Sequence, residues 1–191
     1  MVSAGAGTTR IERFLAHLDT IAGGLEPSFL PVASTRAGQK GLTVLSYAGL
    51  PEPGMLTAVT YGISRGEHEQ WVHGKPELCL SLRSTNDLWA RALGYIAEQA
   101  RGACPFSYGD ILNLGEPICG ESAMTAFMVF APPLLPTEAF RSIAVGSRLP
   151  INIAGAYPIH PSECKYIRRN GLDAFWDLDW DPFDATRPPA A

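Results

Sequence analysis

The sequence lacks concentrated positive charge, paired cysteines and long apolar runs, and each absence excludes a class of protein. Fifteen Lys and Arg residues oppose nineteen Asp and Glu residues, for a formal net charge of −4. Because the basic residues are scattered, no surface for a nucleic-acid backbone is expected. The longest apolar stretch, Ala126 to Pro136, contains two further prolines and is too short to cross a bilayer. The four cysteines form no C-x-x-C pair, which predicts reduced thiols used for packing: Cys79, Cys104, Cys119 and Cys164.

The common catalytic signatures are missing as well. The chain has no G-x-S-x-G, no G-x-x-x-x-G-K and no G-x-G-x-x-G after a strand. These absences exclude the nucleophile elbow of many hydrolases, the phosphate-binding P-loop and the dinucleotide-binding fingerprint. The opening MVSAGAGTTR has no basic start followed by an apolar run, which argues against a signal peptide. We therefore expect a cytoplasmic protein with no cofactor, no nucleic-acid partner and no membrane partner.

The length and composition predict a single domain. A chain of 191 residues that is 46% hydrophobic can bury roughly 70% of the surface that its unfolded state exposes. No repeat or long linker divides it. We expect one domain over residues 1–191, with an ordered core over about 8–180 and a loose tail over 181–191.

The first half of the sequence predicts one helix followed by a strand meander. IERFLAHLDTIAGG has helical spacing and a glycine stop. FLPVAS, LTVLSYAGL and MLTAVTYGIS are apolar, β-branched runs separated by turn residues, which favours antiparallel strands. ELCLSLR alternates strictly and predicts a fourth strand with one face on the core.

The second half predicts helices and strands in an α+β arrangement. NDLWARALGYIAEQARG predicts a helix capped by Ser84 or Thr85, with a buried stripe from Leu88 to Ala100. DILNLGEPI, SAMTAFMVFAPP and LPINIAGAYPI predict strands, the second buried on both faces, and SECKYIRRNG predicts a helix with Pro161 in its first turn. Strands, a helix and further strands do not alternate regularly, so the chain is α+β rather than α/β.

The bend HEQWVH resembles the zinc motif H-E-x-x-H but has one residue too many. Side chains five positions apart lie on different faces of a helix and on opposite sides of a strand, so His68 and His73 do not share a face. No third ligand is evident beside them. We predict a turn here rather than a metal site.

Two other patterns suggest chemistry but have simpler interpretations. DLDWDPFD spaces three aspartates like the start of a calcium loop, but prolines occupy the positions that need Gly and Glu. We therefore predict an acidic edge with Phe175, Trp176 and Trp180 docked on the domain. His160 and Cys164 are four residues apart. In a helix this spacing suits two metal ligands, or a base that acts on a thiol. The simpler interpretation is an imperfect helix cap and a packing residue.

Six segments in a fixed order resemble the Suppressor of fused domain family across roughly residues 21–176. They are VTYGIS, PELCLSLR, the Trp89 helix, YGDILNLGEPI, MVFAPP and PIHPSECKYIRRNGLDAF. The resemblance implies an α+β domain with a mixed, largely antiparallel central sheet, helices packed on its faces, and a binding role without a cofactor. In animal members a cleft grips an extended peptide as an added strand. Short single-domain relatives are bacterial, and many resemble immunity proteins.

The resemblance also suggests where a partner would bind. The family's peptide-binding tyrosine matches Tyr95 and its Gly-Asp pair matches Gly109-Asp110, at a longer spacing than in the family. We predict a bacterial protein-binding domain, specifically an immunity protein that neutralises a toxin. Its predicted contact surface comprises Tyr95, Asp110, Glu67, His68, Glu69, His73 and Trp71, with Trp71 as an exposed aromatic anchor. The alternative is a small hydrolase or metal-dependent enzyme that uses His68, His73, His160 or Cys164.

Overall fold

The computed structural model describes residues 8–191, so most of the segment examined for a signal peptide lies outside the described residues. The described part forms four α-helices and a seven-stranded sheet. The helices are α1 Arg10–Ala22, α2 Leu88–Ala100, α3 Pro161–Asn170 and α4 Leu172–Trp176. The strands are β1 Ser28–Val32, β2 Leu42–Ala48, β3 Met55–Tyr61, β4 Lys75–Arg83, β5 Ile111–Asn113, β6 Ala126–Phe130 and β7 Ile151–Ile159.

The sheet is mixed and largely antiparallel, which confirms the expected fold class. Its strand order is β1-β2-β3-β4-β7-β6-β5. The first four strands form the predicted antiparallel meander, and β6 pairs antiparallel with both β5 and β7. Only β4 and β7 run parallel within the described residues. A parallel pair needs a crossover, and the chain between these strands contains α2, β5 and β6.

Both faces of the sheet are covered by helices. On one face, Trp89 and Leu93 of α2 pack in a core cluster with the leucines of β4. On the other, Phe14 of α1 lies in a cluster with Cys79 of β4. The prediction that only one face of β4 lies on the core was therefore wrong. Its non-leucine face is buried as well, and the polar Ser81 is hydrogen-bonded to the hydroxyl of Thr57 at 2.9 Å.

The start of α2 differs from its predicted start. The helix begins at Leu88, where the Asn86 side-chain oxygen accepts from the Leu88 N–H at 3.0 Å, so neither Ser84 nor Thr85 is the cap. Ser84 accepts from the Asn86 N–H instead. Because the helix starts later, Leu88 is exposed rather than part of the buried stripe. The first helix matches its prediction, with Thr9 and Glu12 forming a capping box and Gly23 in the left-handed region.

The C-terminal segment is packed, and the prediction of a loose tail was wrong. Ala185 and Arg187 are buried. The Arg187 guanidinium donates to both oxygens of the buried Glu163 carboxylate at 2.5 and 2.9 Å, and His160 Nε2 bonds the Arg187 carbonyl oxygen at 2.9 Å. The proline-rich composition suggested looseness, but a carboxylate buried in the first turn of α3 needs a counter-ion, and the tail supplies it.

The aromatic residues after α3 dock as predicted. Trp180 lies 4.8 Å from Phe175 and 4.9 Å from Trp176 between ring centroids. They continue the third core cluster beneath α3 and α4. Among residues 8–191, no helix combines the length and apolarity required to cross a membrane.

Candidate functional site

The bend between β3 and β4 is a turn, as predicted, but Trp71 is not exposed. The Trp71 N–H donates to the His68 carbonyl at 3.1 Å. The Trp71 side chain is 7% exposed, packs in the core cluster under α2, and donates from Nε1 to the Pro105 carbonyl at 2.9 Å. The prediction of an exposed aromatic anchor was therefore wrong, because the indole holds the bend against the loop that precedes β5.

A cavity of about 590 Å³ lies beside this contact. We call it the groove. The bend forms one wall, the loop 105–108 forms another, and the first halves of β4 and β7 form the floor. Its lining residues are Trp71, His73, Gly74, Pro76, Pro105, Phe106, Ser107, Tyr108, Arg141, Ser142, Asn152, Ile153 and Ala154.

The floor of the groove contains an unpaired strand edge. On the side away from β4, the main chain of Ile151 pairs with Ile143, and the pairing of β7 with β6 starts only at Gly155. Main-chain groups alternate sides along a strand, so the N–H and C=O of Ile153 point to that same side. No hydrogen bond reaches them from residues 8–191 outside the sheet ladder. β6 cannot extend to cover Ile153, because it is followed by Pro132 and Pro133, and proline lacks the N–H of a ladder.

The walls of the groove hold unusual backbone conformations. Phe106 and Ser142 have φ values of 58° and 53°, and no other non-glycine residue in 8–191 has a positive φ. Such conformations cost of order 1–3 kcal/mol each and concentrate at functional sites. Close packing fixes the opposite wall: a Cβ on Gly74 would lie 2.2 Å from the Asn152 side-chain nitrogen. Asn152 in turn accepts from the Ser142 N–H at 2.8 Å.

Asp110 affects the groove indirectly, because it is hydrogen-bonded to the loop 105–108 that forms one wall. Its carboxylate accepts from the Ser107 N–H at 2.7 Å and lies 3.3 Å from Cys104 Sγ. The loop presents Tyr108, which is half exposed and whose ring centroid lies 5.1 Å from that of Phe130, with the two rings tilted by 48°. Asp110 therefore shapes the wall of the groove from behind.

The remaining predicted contact residues lie elsewhere. Tyr95 is 54% exposed on the outer surface of α2 and does not line the groove. His73 lines the groove, whereas Glu67, His68 and Glu69 line a second cavity. Glu67 also bonds Lys75 at 2.5 Å, and this bond lowers the pKa of its carboxyl. The structure thus places Trp71 and His73 in the lining of the groove and Asp110 behind its wall, whereas the other four predicted residues do not line it.

The residues of the alternative enzyme hypothesis do not converge. His68 and His73 line different cavities. His160 and Cys164 are buried, and burial raises the pKa of the Cys164 thiol. Residues 8–191 contain no group of three or more His, Cys, Asp or Glu side chains placed to hold a metal ion.

Sequence reasoning missed most of the groove. Residues 141–142 and 152–154, which supply much of its lining, carry no motif. One signal was available: Pro132 and Pro133, which follow the buried strand after Ala131, limit how far that strand can pair.

The chain is similar to known proteins in sequence and in fold. Residues 38–188 match the family described as Suppressor of fused protein (SUFU). No curated protein sequence matches the chain. A SUFU homologue from Neisseria gonorrhoeae FA 1090 has a similar fold, with a TM-score of 0.73 and 15% identity over 94% of this chain and 96% of that chain.

Two further solved structures have the same fold. The crystal structure of the Sufu–Fu complex gives a TM-score of 0.68 and 12% identity, over 96% of this chain and 93% of that chain. Drosophila Suppressor of Fused gives the same TM-score and identity over 96% of this chain, but over 51% of its own length.

Proposed function

Because the chain belongs to the Suppressor of fused protein family, we propose that it is a protein-binding domain whose groove receives an extended segment of a partner. One neighbour of the same fold is a complex of Sufu with Fu. The observation that carries the proposal is the unpaired edge of β7 at Ile153, which lies on the floor of the groove.

The chemistry of the groove suits a peptide in extended conformation. The Ile153 N–H and C=O can exchange two hydrogen bonds with an added strand, the mode in which main-chain bonds give affinity and side-chain pockets give specificity. Phe106, Tyr108 and Pro76 offer apolar contacts, while His73 and Arg141 supply polar groups. An apolar interior with a few polar groups is typical of a recognition site.

The finer proposal is that the partner is a toxin, which the chain neutralises by covering its surface. Its support is the family resemblance, because many short bacterial members resemble immunity proteins, together with the bacterial origin of the Neisseria homologue, of which this chain covers 96%. His73 and Asp110 would act at the groove itself. Tyr95 on α2, with Glu67, His68 and Glu69 on the bend, would extend the contact surface beyond it.

A peptide selection tests the binding proposal. Random peptides displayed on phage are selected against the wild-type chain, and enriched peptides are titrated against two variants. Tyr108→Ala removes an exposed ring from the groove and should weaken binding about tenfold, as expected for an aromatic contact residue. Phe29→Ala removes a ring of similar exposure from edge strand β1 and should leave binding unchanged. Equal effects of both substitutions would contradict the groove as the binding site.

Co-expression tests the finer proposal. The product of a neighbouring gene is expressed with and without this chain, and growth and complex formation are measured. Neutralisation by occlusion requires a stoichiometric complex that Tyr108→Ala weakens. If substoichiometric amounts of the chain inactivate the toxin, and His160→Ala or Cys164→Ala abolishes this effect, the enzyme hypothesis would replace the proposal.

A further inference from the structure

A second feature of the molecule is a basic cavity of about 530 Å³, separate from the groove. It lies between the loop 36–40, the turn that follows β3 and the end of α2. Its lining residues are Arg36, Gln39, Lys40, Arg65, Gly66, Glu67, Arg101 and Gly102.

The cavity holds uncompensated positive charge in an acidic protein. The Glu67 carboxylate also lines the cavity, and its ion pair with Lys75 sets that negative charge against one further positive charge. Arg101 is paired with Glu98 at 2.9 Å. Within residues 8–191, Arg36, Lys40 and Arg65 have no carboxylate within ion-pair distance. Three free cations around one cavity repel one another unless an anion lies between them.

Arg101 is a buried charged residue in the wall of the cavity. The residue is 3% exposed and lines the cavity, and its Nε has no hydrogen-bond partner among the described residues. Glu98 Oε2, on the carboxylate that pairs with Arg101, is unpartnered as well. Arg101 Nε is inaccessible to solvent, so Arg101 adds positive charge to the wall of the cavity, and contact with a ligand falls to the cations that have no carboxylate partner.

Contacts within the chain hold the loop 36–40 and the two guanidinium groups of Arg36 and Arg65 without placing a carboxylate beside them. Arg101 Nη1 donates to the Lys40 carbonyl at 3.0 Å, which ties the loop 36–40 to α2. The Arg65 guanidinium carbon lies 4.7 Å from the centre of the Tyr61 ring. Arg36 packs against Gly102, where a Cβ would lie 3.2 Å from Arg36 Nη1. The cavity is therefore preorganised, so binding would order few side chains.

We propose that the basic cavity binds a phosphate group, carried either by a small molecule or by a phosphorylated side chain. Arg36 and Arg65 line the cavity without a carboxylate partner, and the planar guanidinium fork matches the oxygens of a phosphate. The volume exceeds that of one phosphate and leaves room for a diphosphate or for the group that bears the phosphate. The proposal does not depend on the groove.

Titration of pyrophosphate into ¹⁵N-labelled protein tests this site. The amide signals of Gly66 and Gly102 should shift with saturation, and matched NaCl should not reproduce the shift. The double variant Arg36→Gln/Arg65→Gln should bind about tenfold more weakly or worse, as expected when charge-assisted hydrogen bonds are lost. A phosphoserine peptide and its unmodified form, titrated in parallel, distinguish a phosphorylated partner from a free phosphate.

A matched control separates a site from general charge. Arg168→Gln/Arg169→Gln removes the same charge from two exposed positions at the end of α3 and should leave affinity unchanged. A melting curve for each variant checks that it is folded, and the charge-conserving Arg36→Lys/Arg65→Lys should retain part of the affinity. The proposal is overturned if neither probe saturates, or if the control variant loses as much affinity as the cavity variant. Tyr108→Ala should leave phosphate binding unchanged, so this result is independent of the peptide selection.

Discussion

Replacing Arg187 with methionine should destabilise the domain more than any other change in its last ten residues. The guanidinium donates to both oxygens of Glu163, a carboxylate with no exposed surface. Removing one partner of a buried ion pair costs about 3–5 kcal/mol, because the other charge stays buried without its counter-ion. Glu163 keeps main-chain donors from His160 at 2.7 Å and Ala190 at 2.8 Å. We therefore expect the lower end, about 3 kcal/mol.

Urea unfolding followed by tryptophan fluorescence measures this loss, since Trp180 lies 4.6 Å beneath the Arg187 guanidinium. In a domain of this size the expected drop in Tm is about 6–12 °C. Arg83→Gln serves as the control, because it breaks an exposed ion pair with Asp181 in the same tail and should cost less than about 1 kcal/mol. Adding Glu163→Gln to Arg187→Met should recover part of the loss. If Arg187→Met costs no more than the control, the tail does not stabilise the fold as described.

Three further predictions follow from the same structure. The pKa of Glu163 is lowered: burial acts to raise it, and the hydrogen bonds from Arg187, Ala190 and His160 outweigh burial. The stability that this carboxylate contributes should therefore be complete above its ordinary pKa of 4.5 and should decline as the pH falls below that value. The midpoint of urea unfolding, measured from pH 6 to pH 3, checks this. Gly74→Ala should weaken the binding of selected peptides without unfolding the domain, because its Cβ displaces Asn152. Titration against Gly120→Ala, in open space and without a positive φ, is the comparison. Burial raises the pKa of Cys79 to about 12 and that of Cys104 to about 11. The thiols of the native protein should therefore react slowly with a disulfide reagent at pH 8, and all four should react rapidly once urea unfolds the chain. One thiol that reacts rapidly in the native protein would contradict this prediction.

The sequence predicted the elements of the fold because their apolar periodicity matches their burial. The alternating pattern of β4 correctly predicted a strand, and the helical spacing of α2 correctly predicted a helix. The predictions of which faces are buried were less successful. Strict alternation in ELCLSLR suggested that one face of the strand is exposed to solvent, but α1 covers that face. No local pattern shows that a helix far away in sequence packs there.

Trp71 illustrates why the site was harder to predict than the fold. A tryptophan in a hydrophilic bend suggests an exposed anchor, whereas the indole is buried and bonded to the Pro105 carbonyl, a long-range contact. The open edge at Ile153 is also non-local, since it requires the register of β7 with both β6 and Ile143. Sequence periodicity specifies which side chains face the core, but it does not specify which main-chain groups lack a partner.

The burial of Trp71 changes how the bend contributes to recognition. Since the indole bonds the loop before β5 and Asp110 bonds that same loop at Ser107, the bend and the Gly-Asp segment are two supports of one groove wall. Trp71→Phe removes the Nε1 hydrogen bond, worth about 0.5–1.5 kcal/mol, and also loosens the packing of the bend, because phenylalanine is smaller than the buried indole. If the wall must be fixed for a peptide to pair with β7, this variant should release peptide faster while Tyr95→Ala, on α2, leaves peptide affinity unchanged. The opposite ranking would place recognition on the outer surface of α2, where the family resemblance places the tyrosine, and away from the groove.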